Sequence, residues 1–273
     1  MERIFSTFAA LVARDEPLVV ATVIERGGDG AAKELPALGA TLLVSPSNGV
    51  TGSLGNDLLD AVVARDATAA LASGRSVARH YGAAGEARRD ELTVFLDVFA
   101  PAPRMIIFGA VDFTGALVKV AKILGFHVTV CDARPIFATA RRFPDADQVV
   151  VAWPQVYLEE VAHTLSERDA VCVLTHDHKF DVPAIVAALA TPIGYLGAMG
   201  SRRTHAERIE RLIEAGVDPA RFQEIMAPIG LAIGARSPEE TAVAICAEIV
   251  ARRAGVPAHS LRDATGPLHQ SEN

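Results

Sequence analysis

A chain of 273 residues that is 50% apolar and 22% charged can build two hydrophobic cores, which excludes a disordered or fibrous protein. A net charge of −7 excludes a broad basic field, so we expect no nucleic-acid partner and only local binding of anions. Because no apolar run reaches spanning length and the first residues do not read as a secretion signal, we expect a cytoplasmic protein without membrane insertion.

The first hundred residues mix helices and strands without strict alternation, which predicts a smaller α+β domain over residues 1–100. A helical pattern at 4–12 precedes a strand at 18–24. The Gly- and Ala-rich segment 25–39 predicts a long, functional loop. The remaining predicted elements are a strand at 40–44, a hairpin turn at Asn48-Gly49, a helix at 57–72, and two paired strands in SVARHYG and ELTVFLDVF.

After Pro101 and Pro103, strands and helices alternate, which predicts a Rossmann-type parallel sheet with helices on both faces over residues 101–255. Capping boxes at Thr204-His-Ala-Glu207 and Ser237-Pro-Glu-Glu240 predict the starts of two late helices. Residues 256–273 are polar and aperiodic and are predicted to be a flexible tail. Strands are predicted at 104–108, 126–131, 148–152, 170–174 and 192–196.

The turn in FGAVDFTGAL matches the phosphate-binding fingerprint of dinucleotide folds poorly. The fingerprint would start at Gly109, but Val111 and a threonine replace its later glycines, and Asp112 adds a negative charge. Asp132 ends the next strand, where a ribose-binding carboxylate is expected, and we predict that it faces ligand because an unpaired carboxylate is costly to bury. Nucleotide binding in the familiar pose and a scaffold that has lost or altered that pose both stay open.

The segment LTHDHKFD places His176, Asp177, His178 and Asp181 at the predicted carboxyl edge of the sheet, where ligands bind in open α/β folds. Ligand contact, metal ligation and helix capping are all compatible with these residue types. One loop rarely completes a coordination sphere, so we expect no resident metal. The sequence also lacks G-x-S-x-G, C-x-x-C and H-E-x-x-H, which disfavours hydrolase and thiol-redox chemistry.

The segment GYLGAMGSRR brings Gly200, Ser201, Arg202 and Arg203 to the start of a predicted helix. Guanidinium groups bind phosphate bidentately, so we predict that the two arginines form the main anion clamp. The alternative is intrahelical pairing of Arg203 with Glu207. The other adjacent arginines are predicted to be solvated charge, at positions 88–89, 141–142 and 252–253.

Five blocks in order resemble the C-terminal domain of the XdhC/CoxI family of xanthine dehydrogenase accessory proteins: FGAVDFTGAL, CDARPIFATARRFPDAD, VLTHDHKFD, YLGAMGSRRTHAERI and APIGLAIGARSPEETAVAICAEI. The N-terminal half is similar to that family's other domain through VVATVIERGG, GATLLV and GSLGNDLLDAV. The resemblance implies an accessory protein, rather than a turnover enzyme, that binds molybdenum cofactor. It implies molybdopterin or its dinucleotide form as cargo and a molybdenum hydroxylase as client, with a cysteine desulfurase and a second copy of the chain as further candidate partners. We expect the anionic cofactor to lie in a crevice between Asp112, Asp132, His176, His178 and Arg202-Arg203.

One departure from the family pattern bears on the chemistry, because Leu58 stands where the family has a cysteine. A thiolate could hold molybdenum or accept sulfur, whereas leucine can do neither. The three cysteines of the chain, Cys131, Cys172 and Cys246, lie in apolar runs and are predicted to be buried and reduced. The alternative function is an NAD(P)-dependent oxidoreductase, or a nucleotide-sensing binding module, on the same Rossmann scaffold.

Overall fold

A computed structural model of the protein describes residues 2–27, 35–86 and 91–259. The chain divides after Pro101 into two compact units. Arg88-Arg89, the tail beyond residue 259 and part of the predicted loop at 25–39 lie outside the described residues. Within the described ranges, no helix combines the length and the apolar character that crossing a membrane requires.

The N-terminal unit is an antiparallel sheet of five strands with two helices. Its elements are α1 (Glu2–Ala13), β1 (Leu18–Arg26), β2 (Thr41–Ser45), β3 (Gly49–Ser53), α2 (Asp57–Ser73), β4 (Val77–Tyr81) and β5 (Leu92–Phe99). The strands lie in the order β3-β2-β1-β5-β4. Successive side chains of β1 point to opposite faces, so Val19 packs with α2 and Leu18 packs with Leu11 of α1.

The C-terminal unit is a parallel sheet of six strands with helices between them. Its elements are β6 (Arg104–Phe108), α3 (Asp112–Ile123), β7 (His127–Cys131), β8 (Gln148–Val150), α4 (Pro154–Val161), β9 (Ala170–Val173), α5 (His178–Leu189), β10 (Tyr195–Ala198), α6 (Arg202–Glu214), β11 (Ile225–Met226) and α7 (Pro238–Ala254), with two 3-10 helices at Ala162–Thr164 and Pro219–Glu224. The strands lie in the order β11-β10-β9-β6-β7-β8.

Helices cover both faces of this parallel sheet. Helices α3 and α7 pack on one face, against residues such as Met105 and Ile107, while α4, α5 and α6 pack on the other, against Ile106 and Phe108. Burial on both faces explains why β6 is a continuous apolar run rather than an alternating one. The prediction of a Rossmann-type parallel sheet preceded by a smaller α+β unit is confirmed.

The strand order reverses at the centre of this sheet, because β6 lies between β7 and β9 although β9 follows it only after two other strands. In open α/β sheets, ligands bind in the crevice beyond the carboxyl ends of the strands at this switch point. The segments that emerge there begin at Gly109 after β6 and at Leu174 after β9. They are flanked by the segment after β7 on one side and the segment after β10 on the other.

Two helix starts show how well the capping patterns predicted structure. Helix α7 begins with the expected capping box, in which Ser237 accepts the amide of Glu240 and Glu240 reaches back to the amide of Ser237. Helix α6 begins earlier than predicted, because the hydroxyl of Ser201 accepts the amide of Thr204. Arg202 and Arg203 are therefore the first residues of this helix and do not belong to a loop before it.

Candidate functional site

The turn after β6 has a backbone conformation that requires glycine. Gly109 has φ +112°, which lies in the region that side chains of L-residues avoid. A Cβ atom at this position would lie 2.9 Å from Cγ2 of Thr175 and 3.0 Å from its backbone nitrogen. Gly109 thus lets the segments after β6 and β9 approach each other at the switch point.

The amide groups of residues 109–111 hold the shape of this turn. They donate to the carbonyl of Cys131, the carboxylate of Asp132 and the hydroxyl of Thr114 at 2.9, 2.8 and 3.3 Å. The exposed carboxylate of Asp112 follows directly and already supplies a negative charge at the N-terminus of α3. A phosphate at this helix end would meet that charge, which disfavours the familiar dinucleotide pose.

Asp132 is not the unpaired carboxylate that the sequence predicted. Its side chain is buried and accepts four hydrogen bonds: from the amides of Ala110 and Arg134 at 2.8 and 2.9 Å, and from Nε and Nη2 of Arg134 at 2.9 and 2.8 Å. Burial alone would raise the pKa of Asp132, but these hydrogen bonds outweigh it and hold the pKa below its ordinary value. Arg134 folds back onto Asp132, so the carboxylate that we predicted to be unpaired and to face ligand is instead paired within the protein.

The segment after β7 carries a group that sequence reasoning missed, which we call the Arg–Phe–Arg cluster: Arg134, Phe137 and Arg142. The guanidinium carbons of Arg134 and Arg142 lie 4.5 and 5.6 Å from the centre of the Phe137 ring. Nη1 of Arg142 donates to the carbonyls of Ala110 and Phe137 at 3.0 and 3.1 Å. Arg142 is exposed, but these two bonds show that it is not the freely solvated charge we predicted.

An aromatic pair borders the Arg–Phe–Arg cluster. The rings of Trp153 and Phe180 lie 5.1 Å apart, and the guanidinium of Arg134 lies 5.8 Å from the Phe180 ring. Nζ of Lys179 is 4.8 Å from the same ring. Trp153 is the only tryptophan in the sequence and is 46% exposed. Cations and aromatic faces therefore alternate along this part of the carboxyl edge.

The segment after β9 acts in large part as a helix start. Asp177 is the N-cap of α5, where it accepts the amide of Lys179 at 3.1 Å and pairs with the ammonium group of Lys179 at 3.1 Å. Nε2 of His178 lies 2.9 Å from Nη1 of Arg211 on α6. His176 is exposed. Helix capping, one of the three predicted roles of this segment, is therefore observed for Asp177. The exposed His176 remains a predicted ligand contact.

Asp181 forms a structural ion pair and does not face solvent. Its Oδ2 lies 3.0 Å from Nη2 of Arg208, both side chains are fully buried, and the same Nη2 donates to the carbonyl of Met199 at 2.7 Å. Burial raises the pKa of Asp181 to about 6 despite the bond from Arg208. Among the described residues, no three His, Cys, Asp or Glu side chains form a group that could hold a metal ion.

The predicted anion clamp is only partly available. Gly200 has φ +145°, and Ser201 is occupied as the N-cap of α6. Nε of Arg203 lies 3.1 Å from the carboxylate of Glu207, so the intrahelical pairing that we kept as the alternative is the one observed. Arg202 is exposed. The segment lies beyond β10, which does not border β6, whereas the Arg–Phe–Arg cluster follows β7, which does, and contacts the turn through Ala110.

Comparison with known proteins accounts for both units. The model of the XdhC Rossmann domain matches residues 105–249, and the model of the XdhC and CoxI family matches residues 11–82. The chain belongs to the XdhC/CoxI family. The expected family membership is thus confirmed on more than half of the chain.

Relatives of this XdhC/CoxI protein include a probable xanthine dehydrogenase subunit of Bacillus subtilis, 37% identical over 160 residues, which are 59% of this chain and 46% of the relative. The Molybdenum cofactor insertion chaperone PaoD of Escherichia coli is 28% identical over 155 residues, 57% of this chain and 42% of the relative. The chain thus spans about half the length of these curated relatives. A crystal structure titled as a xanthine dehydrogenase from Bacillus halodurans has a TM-score of 0.50 at 21% identity, covers 93% of this chain and 96% of that one, and shows the fold alone.

The described residues of this XdhC/CoxI chain offer no accessible thiol. Cys131, Cys172 and Cys246 are buried as predicted, and burial raises the pKa of Cys131 and Cys246 to about 12 and that of Cys172 well above its ordinary value. Leu58, where the resemblance places the family's cysteine, is 66% exposed in the first turn of α2, and its amide donates to Asn56 at 2.9 Å. Leucine offers no thiolate ligand at this position.

Proposed function

We propose that this chain is an accessory protein that binds molybdenum cofactor as cargo and assists its maturation or its insertion into a molybdenum hydroxylase of the xanthine dehydrogenase type. The observation that carries the proposal is the match of both family models together with a relative that is named a molybdenum cofactor insertion chaperone. Under this proposal the chain is not itself a turnover enzyme, works in the cytoplasm, and meets its client enzyme there.

The carboxyl edge of the Rossmann unit is the proposed cargo site. Asp112, His176 and Arg202 are predicted contacts whose side chains are exposed. Asp177 and Ser201 are exposed as well, but they cap helices α5 and α6. Asp132 and Arg203 leave the set of ligand contacts, because each is occupied by an ion pair within the protein. The donors at this edge are guanidinium and imidazole groups, which fit the anionic phosphate of the cofactor.

The missing thiolate limits what the chain does to its cargo. With Leu58 where the resemblance places the family's cysteine and the three thiols buried, the described residues supply no accessible thiolate for molybdenum. The chain would hold the cofactor through its pterin and phosphate rather than through a bond to the metal. Sulfur transfer would then fall to a partner such as a cysteine desulfurase.

The proposal is tested with purified protein and a cofactor-free molybdenum hydroxylase. We expect the chain, isolated from cells that make molybdenum cofactor, to carry pterin, detected by fluorescence after oxidation, and to raise the activity of the client when the two are mixed. Protein from a strain unable to make the cofactor is the control. Absence of pterin together with no gain in client activity would overturn the proposal.

The alternative of an NAD(P)-dependent oxidoreductase is tested separately. Its ribose would need the carboxylate of Asp132, which is buried and already accepts four hydrogen bonds. Addition of NADH or NADPH should therefore leave nicotinamide fluorescence unchanged. A saturable enhancement of that fluorescence would favour the oxidoreductase.

A further inference from the structure

We propose that the Arg–Phe–Arg cluster is the phosphate-binding site of the Rossmann unit and takes a phosphate ester that carries a flat heteroaromatic ring, such as a nucleotide or a pterin phosphate. The site would receive the phosphorylated end of the cargo, so the proposal extends the function proposed above. It rests on Arg134, Phe137 and Arg142, none of which belongs to the contacts predicted from sequence.

The first argument is that both arginines are held around one residue of the turn at the switch point. Asp132 accepts the amide of Ala110 and binds Nε and Nη2 of Arg134, while Nη1 of Arg142 donates to the carbonyl of Ala110. Two long side chains that are fixed in this way lose little further freedom when they bind an anion. The cluster is thus preorganised at the place where ligands bind in such sheets.

The second argument is that donors and charge remain unused. Within the described part of the chain, no acceptor is bonded to Nη1 of Arg134 or to Nε and Nη2 of Arg142. Asp132 neutralises Arg134, but Arg142 is bonded only to carbonyls and pairs with no described carboxylate. A fixed cation without a counter-charge, in a chain with a net charge of −7, favours an anionic ligand.

The third argument is the aromatic surface that accompanies the charge. Phe137 is 38% exposed and lies against both guanidinium groups, and the half-exposed Trp153 packs on Phe180 beside Arg134. A flat ring can stack on an aromatic face or on a guanidinium plane, whereas an inorganic anion gains nothing from these groups. The combination selects a phosphate that carries an aromatic ring over phosphate alone.

The anion clamp predicted from sequence, Arg202 and Arg203, lacks these features. Arg203 is 90% exposed and paired with Glu207, and within the described residues no aromatic ring lies against Arg202 or Arg203. The charge of Arg203 is therefore already balanced, and neither arginine is fixed by a carbonyl or a buried carboxylate. The geometry points to the β7 side of the switch point as the phosphate site.

The test uses the full chain and titration with CDP, ADP, a pterin monophosphate, inorganic pyrophosphate and the uncharged nucleoside cytidine. Calorimetry gives the affinity of each, and the fluorescence of Trp153, the only tryptophan in the chain, reports nucleotide binding locally. We expect at least one ring-bearing phosphate to bind and change this fluorescence, pyrophosphate to bind more weakly, and cytidine not to bind. The compound with the highest affinity shows whether the site takes a nucleotide or a pterin phosphate.

Three variants assign the binding to the cluster. Arg142→Gln removes the unbalanced charge, and Phe137→Leu removes the ring from a partly exposed position where folding should be retained. Arg142→Gln should weaken binding about tenfold to a hundredfold, the range expected for a charge-assisted contact to phosphate. Phe137→Leu should weaken it about fivefold to a hundredfold, the range expected for loss of a ring that stacks on a base. The control is Arg65→Ala, whose side chain is 75% exposed and paired with Asp66 in the other unit. Its affinity should equal that of the unsubstituted chain.

The outcomes separate this inference from the proposed function. Unchanged affinity in folded Arg142→Gln and Phe137→Leu, or a loss of binding only in Arg202→Ala, would overturn the inference even if the chain activates its client. Failure of every ring-bearing phosphate to bind the unsubstituted chain would overturn it as well. Nucleotide binding that depends on the cluster, without pterin in the purified protein or client activation, would support the inference and overturn the proposed function.

Discussion

The two flanks of the switch point carry arginine pairs with opposite properties. On the β7 side, Arg134 and Arg142 are eight positions apart in sequence but both are fixed around Ala110. On the β10 side, Arg202 and Arg203 are neighbours in sequence but project from the first turn of α6, where Arg203 pairs with Glu207. Adjacency in sequence therefore says little about whether two guanidinium groups act together, whereas a shared backbone partner says much.

The flanks also differ in where their ion pairs lie. Asp132 is buried, but its partner Arg134 has a side chain that is 41% exposed, so the pair reaches solvent. Asp181 and Arg208 are both fully buried and link α5 to α6. The exposed guanidinium can serve a ligand, while the buried one can only serve the fold. Substitutions on the two flanks should separate these roles.

The largest effect is expected from Asp181→Ala, which leaves the charge of Arg208 buried without its partner. Breaking a buried pair from one side costs about 3 to 5 kcal/mol of unfolding free energy. Urea unfolding followed by circular dichroism measures the loss. Asp177→Ala, four positions away at an exposed cap, is the control and should lose only about 1 kcal/mol. Equal losses in the two variants would contradict a structural role for the buried pair.

The raised pKa of Asp181 predicts that the free energy of unfolding depends on pH. Burial raises its pKa from 3.8 to about 6, so between these values the native state binds more protons than the unfolded state. The stability contributed by the protonated carboxyl is present below the unfolded pKa and is lost as the pH rises to about 6. Asp181→Asn, which mimics the protonated form, should remove this dependence, and an unchanged pH profile in that variant would refute the assignment.

A smaller effect is expected from Gly109→Ala at the turn between the flanks. The positive φ and the contact with Thr175 should together cost about 1 to 3 kcal/mol. Gly115, in the first turns of α3, has open space where a Cβ would be added and no positive φ, so Gly115→Ala is the matched control. It should raise stability by about 0.5 to 1 kcal/mol. Thermal melts of both variants decide whether Gly109 is conformationally required.

A similar or smaller loss is expected from Arg134→Ala, which deprives the buried Asp132 carboxylate of two of its four hydrogen bonds. We expect a loss of about 1 to 3 kcal/mol. Arg203→Ala breaks only an exposed intrahelical pair and should change stability by less than about 0.5 kcal/mol. Comparison of the two melting temperatures tests the contrast between the flanks directly. A larger loss for Arg203→Ala would reverse it.

The smallest effect is expected when the native protein is treated with a thiol reagent. A cysteine lies in each of the two strands that border β6. Cys131 ends β7 and Cys172 lies in β9, both fully buried with raised pKa values, so the native protein should label slowly. Leu58→Cys places a thiol at an exposed helix start and should label rapidly without loss of stability. Fast labelling of the unsubstituted chain would show that one of the native thiols is accessible.

The sequence by itself determined the architecture, because alternating apolar runs and capping boxes are local signals. The run at 104–108, the box at Ser237 and the glycines that follow α2, α3, α6 and α7 are local signals for their own elements. Parallel order follows from the alternation. Strand β11 was not predicted, because two residues carry no periodic pattern. Helix α6 begins before its predicted start, because the sequence analysis did not identify Ser201 as its N-cap. These are errors of a few residues in elements that are otherwise local.

Only the tertiary structure decided which charged residues face a ligand. Asp132, Arg203 and Asp181 all have the residue types of a binding site, yet each is paired inside the protein. Arg142 has the residue type of solvated surface, yet it is held against the turn by the carbonyl of Ala110, 32 positions away. The physical reason is that the free energy of a charge depends on burial and on its nearest partner, and both are set by long-range packing.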